Sequence, residues 1–152
     1  MQFDETFTRI PRARGAGCAV VDEMGRVLLV QQAKVARGTW HLPMGTVEPG
    51  ETPQEAALRE TREEARLEVE LLGFVDGYLG VYGDGTFVLR FVWLARARPG
   101  QSIETAPDAE ILDRRHFTLE EVEGLYARGA LRMHHTLLAV RDALALWKRA
   151  GG

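Results

Sequence analysis

Residues 45–67 read GTVEPGETPQEAALRETREEARL, and this stretch decides most of what can be predicted about the fold. Proline and glycine interrupt residues 43–50 and disfavour regular structure there. Thr52 then offers an N-cap hydroxyl, Pro53 suits the first helical position, and Glu55 completes a capping box. We therefore predict a loop over 43–50 and a helix that begins at Pro53.

The same stretch carries a strong local excess of acidic residues. Between residues 45 and 70 there are eight glutamates and three arginines, a local charge of -5. Glu60, Glu63 and Glu64 fall within an arc of roughly 100° on an ideal helix, so three carboxylates are expected to share one face. We expect this face to look away from the core, with open space above the short side chains of residues 56–57.

Grouped carboxylates repel one another unless they are solvated or bind a cation. Oxygen ligands favour Mg²⁺, Mn²⁺ or Ca²⁺, whereas zinc prefers His or Cys, and neither occurs in residues 45–70. The alternative is a solvated helix face whose glutamates pair with Arg59 and Arg62. Gly45 and Glu51, just ahead of the helix, are placed to reach the same cation, so the pattern favours a metal site that faces substrate phosphates.

The spacing in this stretch resembles a known motif, the Nudix box, at Gly45, Glu51, Arg59-Glu60, Glu63-Glu64 and Leu67. The run Trp40-His41-Leu42-Pro43-Met44-Gly45 is similar to the segment that commonly enters that box. The resemblance covers nearly the whole chain and looks closest to small MutT-like members. It implies an α/β fold of the Nudix type, an α/β/α sandwich in which a mixed β-sheet is flanked by helices.

Three residues depart from the pattern of the family. Met44 replaces a glycine, Thr61 stands where an aliphatic residue is usual, and Arg66 replaces a glycine near the end of the helix. A non-glycine residue loses roughly 1 kcal/mol when it adopts the left-handed conformation that often ends a helix. These departures leave every carboxylate of the motif in place.

The resemblance implies a hydrolase that uses Mg²⁺ or Mn²⁺ to cleave a pyrophosphate bond in a nucleoside diphosphate linked to another moiety. A nucleoside triphosphate, an oxidised nucleotide and a dinucleoside polyphosphate are the candidate substrates. The implied metal ligands are Gly45, Glu60, Glu63 and Glu64. Arg59 is expected to orient them, and the general base stays open among Glu60, Glu63 and Glu110. The alternative function is a non-catalytic, nucleotide-sensing binding module. Loss of these glutamates would favour that alternative, but all of them are present.

Substrate contacts are less well marked in the sequence. Lys34 and Arg37 lie in a loop and are weak candidates for phosphate contacts, with solvated loop charges as the alternative. Tyr82 is a weak candidate for stacking on a base, although aromatic residues in strands more often pack in a core. The four histidines form no metal-ligand spacing and are expected to be structural.

Composition narrows the remaining possibilities. The 152 residues are 45% hydrophobic and 27% charged, which predicts one globular domain over residues 1–152. A net charge of -3 disfavours a polymeric nucleic acid as partner. Cys18 is the single cysteine, which suits a reducing cytoplasm, and no run of eighteen apolar residues predicts a membrane segment. A small nucleotide and a second copy of the chain are the expected partners.

The remaining secondary structure is predicted from periodicity and turn residues. We predict a hairpin, in which residues 22–25 join strands over 16–21 and 27–31, and a short strand over 40–42. Several strands are expected to share one mixed sheet with helices on both sides. Further strands are predicted over 69–75, 78–82 and 87–95, and helices after the capping pattern at 118–121 and over 131–149. The last helix is expected to complete the core or a homodimer contact.

Overall fold

A computed structural model describes residues 13–152 of the chain. Its strands are β1 (Ala13–Val20), β2 (Val27–Gln32), β3 (Trp40–His41), β4 (Met44–Thr46), β5 (Val69–Val81), β6 (Phe87–Ala97) and β7 (Ile111–Phe117). Its helices are α1 (Pro53–Glu60), α2 (Leu119–Ala127) and α3 (His134–Arg149). Helix α1 runs directly into a wider, π-helical turn over Thr61–Ala65. Within these residues no helix is long and apolar enough to cross a membrane.

The strands form two sheets. The larger has the order β4-β1-β6-β5 and is mixed, because β1 is parallel to β6 while the other pairs are antiparallel. The smaller is antiparallel, with the order β3-β2-β7. Helix α1 lies on one side of this layer and helices α2 and α3 lie on the other. The predicted fold class, a mixed sheet flanked by helices, is confirmed.

Strands β1 and β2 do not form the predicted hairpin, because they belong to different sheets. Their link is a single bridge between Val21 and Val27, closed by residues 22–25. Successive side chains of β2 enter two different cores: Leu29 packs with α2 and α3, whereas Leu28 packs with α1. A strand that is buried on both faces fits the interior of a layered fold better than a two-stranded ribbon.

Other predicted boundaries shift without changing the fold. The predicted loop over 43–50 contains β4, which pairs with β1 and so brings Gly45 into the larger sheet. The two strands predicted over 69–75 and 78–82 are one strand, β5, whose pairing with β6 is offset at two bulges. Helix α3 begins three residues later than the predicted 131.

Helix α1 begins at Pro53, as predicted. The Thr52 hydroxyl accepts from the Glu55 amide at 3.1 Å, and the Glu55 carboxylate accepts from the Thr52 amide at 3.3 Å. In the wider turn that follows, the buried Thr61 hydroxyl donates to the Ala57 carbonyl at 2.8 Å. A polar residue is therefore tolerated at this buried position because its hydroxyl has a partner inside the helix.

Arg66 ends the helix in the left-handed conformation, with φ 59° and ψ 36°. We expect Arg66→Gly to be more stable than Arg66→Ala by about 1 kcal/mol, because only glycine adopts this backbone without steric cost. Both variants lose the same exposed ion pair to Asp108, so their difference isolates the backbone term. Urea denaturation measures it, and equal midpoints for the two variants would show that Arg66 is unstrained.

Candidate active site

The acidic residues of the helix are more buried than the ideal helix predicts. Ala56 and Ala57 are fully buried in the core beneath α1, so the predicted open space above them does not exist. The Glu60 side chain is only 13% exposed and forms an ion pair with Arg59. The acidic face therefore borders the core, and the prediction that it looks away from the core was wrong.

The wider turn over Thr61–Ala65 explains which carboxylates meet. A π-helical turn holds more residues than an α-helical turn, so each residue advances by a smaller angle. Residues four apart stay about as close to one line as in an α-helix, and the carboxyl groups of Glu60 and Glu64 are in hydrogen-bond contact. The same change moves Glu63 further around the helix, where its side chain is 56% exposed and contacts Arg59.

Arg59 connects the acidic residues to the preceding loop. Its guanidinium donates to both oxygens of Glu51, at 2.7 and 3.0 Å, and to Glu60 at 2.8 Å. It also donates to the Thr46 carbonyl at 2.9 Å and to Glu63 at 3.3 Å. The hydrogen bonds from Arg59 lower the pKa of Glu51 to about 2. Arg59 therefore fixes Glu60 against strand β4 and has little freedom of its own.

Gly45 faces the carboxylate of Glu60 across a very short gap. A Cβ built on Gly45 would overlap the Glu60 carboxylate, so a larger residue would displace that side chain. The next residue back, Met44, donates its amide to Glu64 Oε1 at 3.2 Å. Strand β4 thus carries backbone groups directly to both acidic side chains, because β4 pairs with β1 at this point.

The pKa shifts of Glu60 and Glu64 indicate whether these residues are suited to bind a cation. Burial raises the pKa of Glu64, and the neighbouring Glu60 raises it further. Burial also raises the pKa of Glu60, against the opposing effect of Arg59. Two buried carboxylates in contact cannot both be ionised without a compensating positive charge. A proton or a divalent cation meets this need, so the donor chemistry fits a metal, although in residues 13–152 no three acidic, His or Cys side chains are already gathered around one point.

An acidic cavity of about 410 Å³ opens beside this pair. It brings together all four predicted glutamates and one predicted lysine, namely Glu60, Glu63, Glu64, Glu110 and Lys34. Lys34 donates to Glu110 Oε1 at 2.7 Å, and both side chains are largely exposed. The structure therefore places a positive charge and four carboxylates around one space that has room for a diphosphate group.

Two other predicted site residues lie elsewhere. Arg37 folds back and donates to the Ala33 carbonyl at 2.8 Å, and it does not line the acidic cavity. Tyr82 lies beyond the acidic cavity, where its ring is 5.6 Å from the Arg90 guanidinium. Arg37 and Tyr82 therefore lie outside the acidic cavity.

Three residues that the sequence does not mark also shape this site. Gln32 and Arg132 line the acidic cavity, and Arg132 donates to Gln32 Oε1 at 3.2 Å. The Gln32 amide nitrogen is buried and has no hydrogen-bond partner among the residues that the structure describes. Arg114 is fully buried and donates to the Glu64 carbonyl at 2.6 Å, which ties the end of the acidic turn to β7.

An apolar cavity of about 780 Å³ lies on the other side of Arg132. Its walls come from the loop at residues 35–36, from β5 and from the start of α3. Tyr78 stacks on His135, with ring centroids 6.1 Å apart, and the buried Nε2 of His135 has no hydrogen-bond partner within residues 13–152. Burial lowers the pKa of His135 to about 3, so the ring is neutral at physiological pH. We predicted only a structural role for the histidines, and this prediction did not include a histidine on a cavity wall, where His135 lies.

Comparisons with known proteins agree with this arrangement. A family model described as NUDIX domain matches residues 11–139. The 8-oxo-dGDP phosphatase NUDT18 of Mus musculus is 43% identical over 105 residues, which cover 65% of this chain and 31% of that protein. A MutT-like protein of Streptomyces ambofaciens is 43% identical over 67 residues, which cover 44% of this chain and 40% of that protein. The chain thus spans about a third of the length of the NUDT18 relative.

Solved structures show the same fold. A NUDIX hydrolase from Nitrosomonas europaea superposes with a TM-score of 0.72 at 22% identity, covering 93% of this chain and 90% of that one. A C. elegans Ap4A hydrolase in a binary complex gives a TM-score of 0.72 at 22% identity, covering 92% of this chain and 99% of that one. At these identities the likeness concerns the fold alone.

Proposed function

Since this chain belongs to the Nudix family, we propose that it is a divalent-metal-dependent hydrolase that cleaves a pyrophosphate bond in a nucleoside diphosphate linked to another group. The observation that carries this proposal is the buried contact between Glu60 and Glu64 at the edge of the acidic cavity. Such a pair is unfavourable in isolation and favourable beside a cation. The NUDT18 relative is named for action on 8-oxo-dGDP, which supports this class of substrate.

The residues that would hold the metal are Glu60, Glu64 and the carbonyl of Gly45, with Glu63 at the rim of the cavity. When bound, Mg²⁺ or Mn²⁺ neutralises the diphosphate and stabilises the charge that develops on the cleaved oxygen. Arg59 holds Glu60 in one orientation through its bonds to Glu51 and Glu60, so the ligand geometry is set before substrate arrives.

Among the three candidates for the general base, we favour Glu110. Glu60 is already engaged by Arg59 and Glu64, and Glu63 contacts Arg59. Glu110 lines the acidic cavity, and Lys34 donates to its carboxylate. In this role Glu110 would take the proton from the attacking water, while Lys34 contacts a phosphate oxygen.

Of the candidate substrates, we propose an oxidised guanine nucleotide as the first to test. The NUDT18 relatives from mouse and human, 43% and 42% identical to this chain, are named for action on 8-oxo-dGDP. The apolar cavity has room for a purine, and the neutral ring of His135 lies on its wall. A nucleoside triphosphate and a dinucleoside polyphosphate are the alternatives.

We further propose that residues 1–152 act as one domain in the cytoplasm and that the chain forms a homodimer. The sensing module is the competing function. It is disfavoured because a sensor needs neither the buried acidic pair nor the exposed Glu110 beside it.

A nucleotide panel tests the proposed function. We expect 8-oxo-dGDP to be hydrolysed only with Mg²⁺ or Mn²⁺, and faster than dGDP, dGTP or diadenosine tetraphosphate, as measured by chromatographic separation of the nucleotide products. Glu110→Gln should lower kcat by about 10² to 10⁴-fold, the range for loss of a general base. Glu63→Gln is the matched comparison, since its carboxylate also lines the acidic cavity. Binding of the nucleotides without metal-dependent turnover of any of them would identify a sensor.

A further inference from the structure

Arg90 is a buried arginine in the middle of the larger sheet. It lies on β6, between Gly15 of β1 and Tyr78 of β5, and is 7% exposed. A Cβ on Gly80 would come within 2.6 Å of Arg90 Nη1, and a Cβ on Gly15 within 3.3 Å of Arg90 Cγ. Glycines on both neighbouring strands therefore leave space for the Arg90 side chain on the face of the sheet.

Among the described residues, Arg90 has no acidic partner that would explain its burial. Within residues 13–152 no carboxylate lies within ion-pair distance of Arg90 or of Arg132. Burial lowers the pKa of Arg90, the neighbouring Tyr82 raises it, and the charge of Arg132 lowers it, so the two cations repel each other. A buried cation that has no carboxylate partner in the part of the chain that the structure describes is costly, which indicates that an anion belongs beside Arg90.

A small space exists where that anion would lie. An arginine cavity of about 120 Å³ is lined by Arg90, Arg132 and Gly45, among others, and none of the described residues that line it is acidic. His41 also lines it and is neutral, because burial lowers its pKa well below the ordinary value. The cavity is of the size of one phosphate group and has cationic groups on its walls.

The three cavities meet at Arg132, which lines each of them, and this gives the arginine cavity a place in the reaction. Gly45, which we propose as a metal ligand, also lines the arginine cavity. Tyr82, Arg90 and Met133 line both the arginine cavity and the apolar cavity. A nucleotide that spans the three cavities has its base in the apolar cavity, its first phosphate at the arginines and its second phosphate at the acidic pair.

We propose that Arg90 and Arg132 form a metal-independent site for the phosphate that stays on the nucleoside when the pyrophosphate bond is cleaved. This inference rests on the proposed function for its place in the reaction, but the site itself binds a nucleoside monophosphate without metal. Arg90 and Arg132 donate to the phosphate oxygens, and charge-assisted bonds of this kind are the stronger class. The site orients the substrate before cleavage and retains the monophosphate product afterwards.

Calorimetric titration of the full chain in EDTA tests the proposal with dGMP and deoxyguanosine as probes. We expect dGMP to bind at least about tenfold more tightly than deoxyguanosine, since hydrogen bonds to a charged group contribute at least that ratio. Arg90→Met and Arg132→Met should each bring the two affinities within about threefold of each other. Arg96→Met is the matched control, because Arg96 lies on the same strand but is exposed and pairs with Glu70.

The thermal stability of the ligand-free variants adds a second readout. Removal of one repelling cation should leave Arg132→Met at least as stable as the wild type, whereas an arginine with only a structural role would leave a less stable protein. Equal affinity of the wild type for dGMP and deoxyguanosine would overturn the inference and leave the proposed hydrolase intact. Selective dGMP binding in a chain that hydrolyses no nucleotide would support the arginine site and contradict the proposed function.

Discussion

Glu64→Gln is expected to lose about 10³-fold of the metal-dependent hydrolysis, equivalent to about 4 kcal/mol of transition-state stabilisation, while the folded protein becomes more stable in EDTA. The loss of activity follows from removing one of two buried carboxylates that would hold the cation. The gain in stability follows because the glutamine amide donates to Glu60, as the protonated Glu64 does, without carrying a charge. A residue with a purely structural role would not change activity and stability in opposite directions.

The pH dependence of this stability difference identifies its cause. Burial raises the pKa of Glu64 above its ordinary value of 4.5, so the folded protein keeps a proton that the unfolded chain releases. The metal-free wild type therefore loses stability as the pH rises, by at most about 1.4 kcal/mol per pH unit for each such proton. Buried His41 and His135 have lowered pKa values and act in the opposite direction, but only below pH 6.5. Denaturation between pH 6.5 and about 8, the raised pKa of Glu64, thus isolates the carboxylates, because the buried Cys18 and Tyr78 titrate at higher pH.

Glu68→Gln supplies the control for this experiment. Glu68 follows the same acidic turn, but it is 57% exposed and pairs with Arg62 at the surface. We expect its activity and its pH dependence to equal those of the wild type, because exposed pairs contribute about 0–1 kcal/mol. Saturating Mg²⁺ should also flatten the pH dependence of the wild type. A Glu64→Gln variant that kept wild-type turnover would remove Glu64 from the catalytic machinery.

Local sequence features predict the start of α1 well, because a capping box depends on a few neighbouring residues. Thr52, Pro53 and Glu55 act together wherever the rest of the chain lies, and the second capping pattern at 118–121 likewise begins α2. The spacing of the glutamates could not predict which of them meet. That outcome depends on the wider turn over Thr61–Ala65, and an ideal helix places Glu63 as near to Glu60 as Glu64.

Long-range features of the site have no local signature in the sequence. Arg90 becomes unusual only when β1 and β5 place Gly15 and Gly80 beside it, and these residues are far apart along the chain. Arg114 and Arg115 are adjacent in sequence, yet one is fully buried and the other is exposed. Successive side chains of a strand point to opposite faces, which explains this difference. Which face of β7 is buried, however, depends on the elements that pack against it.

Arg114→Met is expected to destabilise the protein by about 3–5 kcal/mol, the usual cost of removing one partner of a buried ion pair. Arg114 donates to four groups that do not otherwise meet: the carbonyls of Glu64, Glu104 and Ala106, and the carboxylate of Asp108. Methionine fills a similar volume but leaves these acceptors without their donor. The acidic turn and the segment before Glu110 would then lose their common anchor, so activity should fall as well.

Arg114→Lys separates charge from geometry at this position. Lysine keeps the positive charge, but its single ammonium cannot reach four acceptors that a planar guanidinium reaches in different directions. We therefore expect the lysine variant to recover only part of the lost stability in urea denaturation. Arg115→Met is the matched control, because Arg115 is 63% exposed and its loss should cost less than about 1 kcal/mol. If the two methionine variants were equally stable, the contacts of Arg114 would not anchor the turn, and the position of Glu64 would have to be maintained by Met44 and Glu60 alone.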